Sequence, residues 1–255
     1  IYIKCCFCCE LKLRKNKIPV YVIAGSHDFS PSGKTMLDVL EAAGLMKNVV
    51  KGAVQEGKLY LKFIQDEKTE AKITGMLGKK GMLEKNFYDS LDLEHLEKEK
   101  GFKIFMFHSA ISEMKPEGME KMDSCEISYL PKGFDYYAGG HVHIVKELNL
   151  HGYKNVVYPG PLFPNNFSEL EKLHNGSFYI YEDGKLHKEE IALKNVFLID
   201  INAEHKSPEE VYQDIESKIH KKEFLNTIVL LKVHGKLKTG KTFAELFGST
   251  AMARF

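Results

Sequence analysis

Residues 134–143 read Phe-Asp-Tyr-Tyr-Ala-Gly-Gly-His-Val-His, a short apolar run that halts at two glycines and ends in a His-x-His pair. The run Phe134–Ala138 has the length and content of a buried strand. Gly139 and Gly140 permit a sharp turn and let another group approach the backbone closely. His141 and His143 stand at i and i+2, which in an extended chain puts both imidazoles on one side. Two imidazoles on one side are suited to chelating a transition metal. The same letters also fit a solvated surface loop, but the strand and glycines before them favour the ligand pair.

The pattern recurs twice towards the N-terminus. Phe102–Phe107 (FKIFMF) is a nearly continuous apolar run ending at His108, and Ile18–Ala24 (IPVYVIA) runs into Gly25-Ser26-His27-Asp28. In layered α/β proteins, loops beyond the strand ends converge at one edge of the sheet, and sites gather there. His108 is thus a candidate metal ligand. His27 is a candidate general acid or ligand, with Asp28 as a possible orienting partner. The other seven histidines (His95, His151, His174, His187, His205, His220 and His234) fall in charged helices, turns or the late part of the chain and read as surface residues.

Around these runs the periodicity predicts alternating elements. Ile1–Lys15 reads as an amphipathic helix. A second helix ends near Ala43, with Ser32 as N-cap and Gly44 as stop. Leu59–Ile64 and Ala71–Leu77 read as strands joined by a polar turn, followed by helices near Met82–Ser90 and Leu93–Lys100, the second densely charged and expected to be solvated. Further strands are expected at Val145–Leu150, Val156–Tyr158 and Phe178–Tyr181, with Asp183-Gly184 as a hairpin signal. After about Lys194 the texture changes to a strand at Val196–Ile201, a helix from Pro208 to about His220, and a strand at Ile228–Val233. The expected division is a domain over 1–193 and a smaller α+β one over 194–255.

The chain has 255 residues, 44% of them hydrophobic and 28% charged, so it is long enough to bury a substantial core. With 36 basic and 35 acidic side chains the formal charge is +1, which excludes a histone-like polycation but leaves room for a local basic face. No apolar run reaches the eighteen or so residues of a membrane span, and no signal peptide is visible, so a cytoplasmic protein with no membrane partner is expected. Four of the five cysteines sit at Cys5, Cys6, Cys8 and Cys9. Read as reduced thiols on a helix, they act as small hydrophobes; a metal cluster is the alternative. Neither a nucleophile elbow nor a complete phosphate-binding P-loop occurs. Ile1 opens the chain inside a helix-like pattern, as a fragment would.

Taken together these motifs resemble the calcineurin-like metallophosphoesterases. Gly25-Ser26-His27-Asp28 is similar to their Gly-Asn-His-Asp/Glu motif, His108 to their single histidine, and Gly140-His141-Val142-His143 to their Gly-His-x-His. With Tyr158-Pro159-Gly160-Pro161, Phe167-Ser168-Glu169 and Gly176-Ser177-Phe178, the chain looks like the SbcD-type branch of DNA double-strand-break repair nucleases. The resemblance implies a layered α/β/β/α sandwich with a small capping domain and a phosphodiesterase acting on DNA ends. It also implies two divalent metal ions, typically manganese, as well as a homodimer and an SbcC-type coiled-coil ATPase partner. Residue by residue, His108 and His141 would hold one metal and His143 the other, while His27 would stabilise the transition state or protonate the leaving oxygen. Ser26 stands where the family has an asparagine ligand, and its hydroxyl is shorter than that amide. The family's Asp-x-His occurs nowhere in the chain, as expected of a piece lacking its first strands. In the late unit, Lys236, Lys238 and Lys241 are the candidate DNA contacts. Two alternatives are kept: a related phosphoesterase acting on another phosphoester, and a DNA-binding scaffold that has lost catalysis.

Overall fold

The computed structural model describes residues 18–28, 35–220 and 223–238. The expected N-terminal helix, its cysteines, Ser32 and Lys241 lie outside them. The chain separates into two units. One runs to Leu162 and takes in Ser177–Glu190; the other comprises Phe163–Gly176 and the chain from Ile191.

In the first unit the strands are β1 (Tyr21–Val22), β2 (Lys47–Asn48), β3 (Gly52–Gln55), β4 (Lys58–Leu61), β5 (Ile64–Gln65), β6 (Lys72–Met76), β7 (Lys103–Phe107), β8 (Tyr136–Gly139), β9 (Val145–Leu150) and β10 (Tyr153–Pro159). They are followed by β11 (Gly176–Glu182) and β12 (Lys185–Ile191). The α-helices are α1 (Met36–Ala42), α2 (Lys85–Asp89) and α3 (Leu93–Lys98). The main sheet has six strands in the order β5-β6-β7-β8-β10-β9. Its four inner strands are mutually parallel, while β5 and β9 are antiparallel at the edges.

Every residue of β7 is buried, and this is why FKIFMF is a continuous apolar run: a central parallel strand is covered on both faces. Phe105 and Phe107 pack with Tyr88, Leu96, Tyr137 and Tyr158 in one cluster, towards α2 and α3. Ile104 and Met106 face the other way, packing with Tyr21, Ile23, Tyr136 and Tyr179 against β1 and β11. Beyond β1, Val20 and Val22 meet Leu37 and Leu40 of α1. Helix, sheet, strands and helix therefore succeed one another, the α/β/β/α order expected.

Several local expectations are corrected. The first helix is capped by Thr35, whose side chain accepts from the Asp38 amide while the Asp38 carboxylate accepts from the Thr35 amide. This reciprocal capping box marks the start of the described helix. Gly44 does end the helix, at φ 67°. Leu59–Ile64 is not one strand. Its first half pairs with β3 across Glu56-Gly57, and its end becomes β5, pairing with β6. On the charged α3, Leu96 is fully buried and anchors an otherwise mostly exposed helix. Asp183 and Gly184 both take positive φ, the conformation of a tight hairpin turn between β11 and β12.

In the second unit, β13 (Asn195–Asn202) and β14 (Thr227–His234) form a parallel pair joined through α5 (Pro208–Ile219), and α4 (Phe167–Leu173) contacts β13. Ile199, Ile201, Ala203, Val211 and Ile215 form its core. Pro208 opens α5 behind a Ser207/Glu210 capping box.

Candidate metal and phosphoester site

The parallel strands β6, β7, β8 and β10 all deliver their C-terminal ends to one edge of the sheet. Leu77 and Gly78 follow β6, His108 follows β7, Gly140–His143 follow β8 and Gly160 follows β10. The Gly78 amide donates to the Ala24 carbonyl at 2.9 Å, which brings the end of the first apolar run beside β6. All three histidine-bearing loops therefore meet, as their sequences suggested.

His108 is seated among backbones. A methyl at Gly78 would lie 2.4 Å from its Cδ2, one at Gly25 2.8 Å from Cε1 and one at Gly140 3.0 Å from Nδ1. Three glycines from three different loops thus leave room for one imidazole, and any side chain there would have to displace it. The loop after His108 is held from below. The Tyr158 hydroxyl donates to the Ser109 carbonyl at 2.6 Å and accepts from the Ile111 amide at 3.0 Å. The Ser109 hydroxyl donates to Glu84 at 3.2 Å.

His141 stands against His108 with ring centroids 5.2 Å apart in an edge-to-face arrangement. Its backbone is not extended: φ is 85°, in the left-handed region. The expected extended backbone is corrected at His141, while His141 and His143 both line the same cleft. A bend after the two glycines sets His141 beside His108. Burial pushes the His141 pKa down, and the charges of His143 and His27 add to this while Glu84 opposes it.

A cleft of about 490 Å3 takes in Ser26, His27, Asp28, His108, His141 and His143, with an apolar wall of Val20, Val22, Leu37, Leu40 and Met46. Ser26 is buried, whereas His27 and Asp28 are exposed at the rim. The Asp28 carboxylate accepts from the Gly25 amide at 2.7 Å and the Asp28 amide donates back to the Gly25 carbonyl, so this residue closes the turn that carries His27. The seven remaining histidines are all exposed, as expected.

The donor chemistry can be tested against a metal. An imidazole bound through nitrogen at ~2.1 Å has its ring centre about 3 Å from the ion, so two ligands of one ion stand at most about 6 Å apart. The His108–His141 separation of 5.2 Å satisfies that limit. Among the described residues, no group of three or more His, Cys, Asp or Glu side chains is clustered as a complete metal-binding set. The two histidines fit as part of a site.

Two contributors were not singled out by sequence reasoning. Gly78 carries the same signal as Gly139-Gly140, a glycine directly after an apolar run. Glu84 is 2% exposed in a charge-rich stretch, and nothing in its letters marks it as buried. In the second unit, Lys236 and Lys238 are exposed, whereas Lys232 pairs with Glu171 at 2.5 Å and Lys218 donates to the Asp200 carbonyl.

Comparison with known proteins agrees with this geometry. The chain is 26% identical over 216 residues to the DNA double-strand break repair protein Mre11 of Methanococcus maripaludis, covering 78% of this chain and 53% of that protein. It is 26% identical over 166 residues to the Archaeoglobus fulgidus Mre11, covering 63% of this chain and 36% of the relative. A shorter match to the Methanopyrus kandleri Mre11 is 38% identical over 69 residues, covering 27% of this chain and 14% of that protein. The chain thus spans about half, or less, of the length of these curated relatives. The profile of the calcineurin-like phosphoesterases matches residues 5–145. That match covers more than half of the chain and ends just past the His-x-His pair, and with it the chain belongs to the calcineurin-like phosphoesterase family.

Proposed function

We propose that this chain is the nuclease subunit of a DNA double-strand-break repair complex, a manganese-dependent phosphodiesterase acting on DNA ends. The observation that carries the reading is the meeting of His108 and His141 at the shared C-terminal edge of the parallel strands, inside a glycine cradle made by three loops. The likeness to three archaeal Mre11 proteins supports DNA as the substrate.

His108 and His141 would hold one divalent ion and His143 would contribute to a second, with the buried Ser26 lining the same cleft. When bound, the ions supply a Lewis acid at the phosphoryl oxygens and lower the pKa of water. The protein's own groups do the rest. The glycine cradle confines the His108 ring and the Tyr158 hydroxyl holds the backbone just after it, so the ring is positioned before substrate arrives. His27, exposed at the rim on a turn closed by Asp28, would stabilise the transition state or donate a proton to the departing oxygen. The second unit acts as a cap over the duplex, with Lys236, Lys238 and Lys241 on phosphates. The protein works in the cytoplasm as a homodimer with an SbcC-type ATPase.

The test is hydrolysis of a linear duplex by the full-length protein with manganese, compared with His141→Ala. The proposal requires DNA cleavage that the substitution abolishes. Cleavage of a small chromogenic phosphodiester but not of DNA would transfer the assignment to another phosphoester. Folded wild-type protein that cuts neither would establish the scaffold.

A further inference from the structure

We infer that the loop at residues 79–85 (Lys-Lys-Gly-Met-Leu-Glu-Lys) grips the phosphate backbone of the strand presented to the histidine centre. The inference deepens the nuclease reading and rests on it for the identity of the substrate. The loop begins at Gly78, which abuts His108 and is bonded to Ala24, so it lies at the same sheet edge as the cleft.

Its anchor and its exposed groups are separated. Glu84 points inward, accepting from the Lys79 amide at 2.9 Å and from the Ser109 hydroxyl at 3.2 Å. The first bond closes the loop on itself and the second ties it to the residue that follows His108, so loop and centre are positioned together. Outward, the loop shows Lys80, Lys85 and Leu83, the last 58% exposed. The Lys79 ammonium lies 4.5 Å over the Phe87 ring and that of Lys85 5.4 Å from the Tyr129 ring. Such contacts steady the long stems and leave the charge in place.

The charge is available. Among the described residues, none of the three ammonium groups meets a carboxylate, whereas Lys51, Lys58, Lys206 and Lys232 each do. On a chain with a formal charge of +1, three lysines without a carboxylate partner, against the one buried Glu84, give the loop that starts at Gly78 a local positive field. Phosphodiester oxygens at successive nucleotides are the matching chemistry. Leu83, between the lysines, offers an apolar surface to a base or sugar.

The experiment measures binding of the full-length protein to a fluorescent blunt duplex in EDTA, by anisotropy, across a series of KCl concentrations. For duplex DNA the slope of log K against log salt is about 0.9 per phosphate contact, so Lys79→Gln/Lys80→Gln/Lys85→Gln should make it shallower by about two to three. The double variant Lys80→Gln/Lys85→Gln keeps the Lys79 packing on Phe87 and should lower it by about one to two. Lys100, Lys132 and Lys154 lie at the opposite, N-terminal ends of the parallel strands, and their triple Gln variant should keep the wild-type slope. A wild-type slope in the loop variants, an equal loss in the control, or no DNA binding by wild type would overturn the inference. Hydrolysis plays no part in EDTA. A protein that binds through this loop yet never cuts DNA would therefore refute the nuclease reading and leave the loop's role standing.

Discussion

Gly78 is the position where the smallest change should have the largest local effect. An added methyl would lie 2.4 Å from the His108 ring and 2.7 Å from the His108 carbonyl oxygen, and a backbone oxygen cannot swing aside as a side chain can. Gly78→Ala should cost about 1–3 kcal/mol in urea unfolding, the usual range for overpacking, and should weaken manganese binding. Gly140→Ala, with its closest contact at 3.0 Å, should be milder on both counts; the reverse order would refute the cradle. Cys125 gives a pH signature. It is 1% exposed, and burial pushes its thiol up to about 11. The unfolded thiol ionises near 8.5, so above that pH the unfolded chain releases a proton that the folded chain keeps. The stability held below the unfolded pKa is therefore lost as pH rises towards 11. The urea midpoint should begin to fall near pH 9 in wild type. In Cys125→Ala it should fall only near pH 10, where tyrosines of the unfolded chain ionise. Identical alkaline limbs would show that this thiol does not contribute.

Elements whose signal is local were legible in the sequence, and those whose boundaries depend on partners were not. FKIFMF and FDYYA read as buried strands because both faces of β7 and β8 are covered, and no alternative period competes. The strand–helix–strand pattern after Lys194 was equally plain, with Pro208 marking the start of α5. The hairpin of β3 and β4 was missed because β3 is exposed throughout and has no apolar alternation to betray it. The start of α1 was misplaced because two hydroxyl residues, Ser32 and Thr35, compete as cap, and only Thr35 has the reciprocal Asp38. The same capping logic gives a prediction in the second unit. Ser207 accepts from the Glu210 amide at 3.2 Å, so Ser207→Ala should cost about 1 kcal/mol of stability by urea unfolding. A loss below about 0.3 kcal/mol would show that Pro208 and packing alone define the helix start.

Across the whole molecule, the fold class and the meeting of the histidine loops could be argued from sequence because the four inner strands are parallel and share one C-terminal edge. The route by which they meet could not. His141 reaches His108 through a left-handed bend, not an extended segment, and the neighbouring Ser109 is held by Glu84 and Tyr158, both distant in sequence. The lysines divide similarly. Lys218 and Lys232 are engaged within the second unit, leaving Lys236 and Lys238 exposed. Replacing Lys236, Lys238 and Lys241 with Gln should flatten the salt dependence of duplex binding by about two to three units of slope, and an unchanged slope would remove the second unit from the DNA path. The most direct test of the central claim is a calorimetric manganese titration of the metal-free full-length protein, beside His108→Ala and His141→Ala. The account predicts saturable binding in wild type and its loss or severe weakening in each variant, with both variants still folded by circular dichroism. Wild-type affinity and stoichiometry in both variants would contradict it.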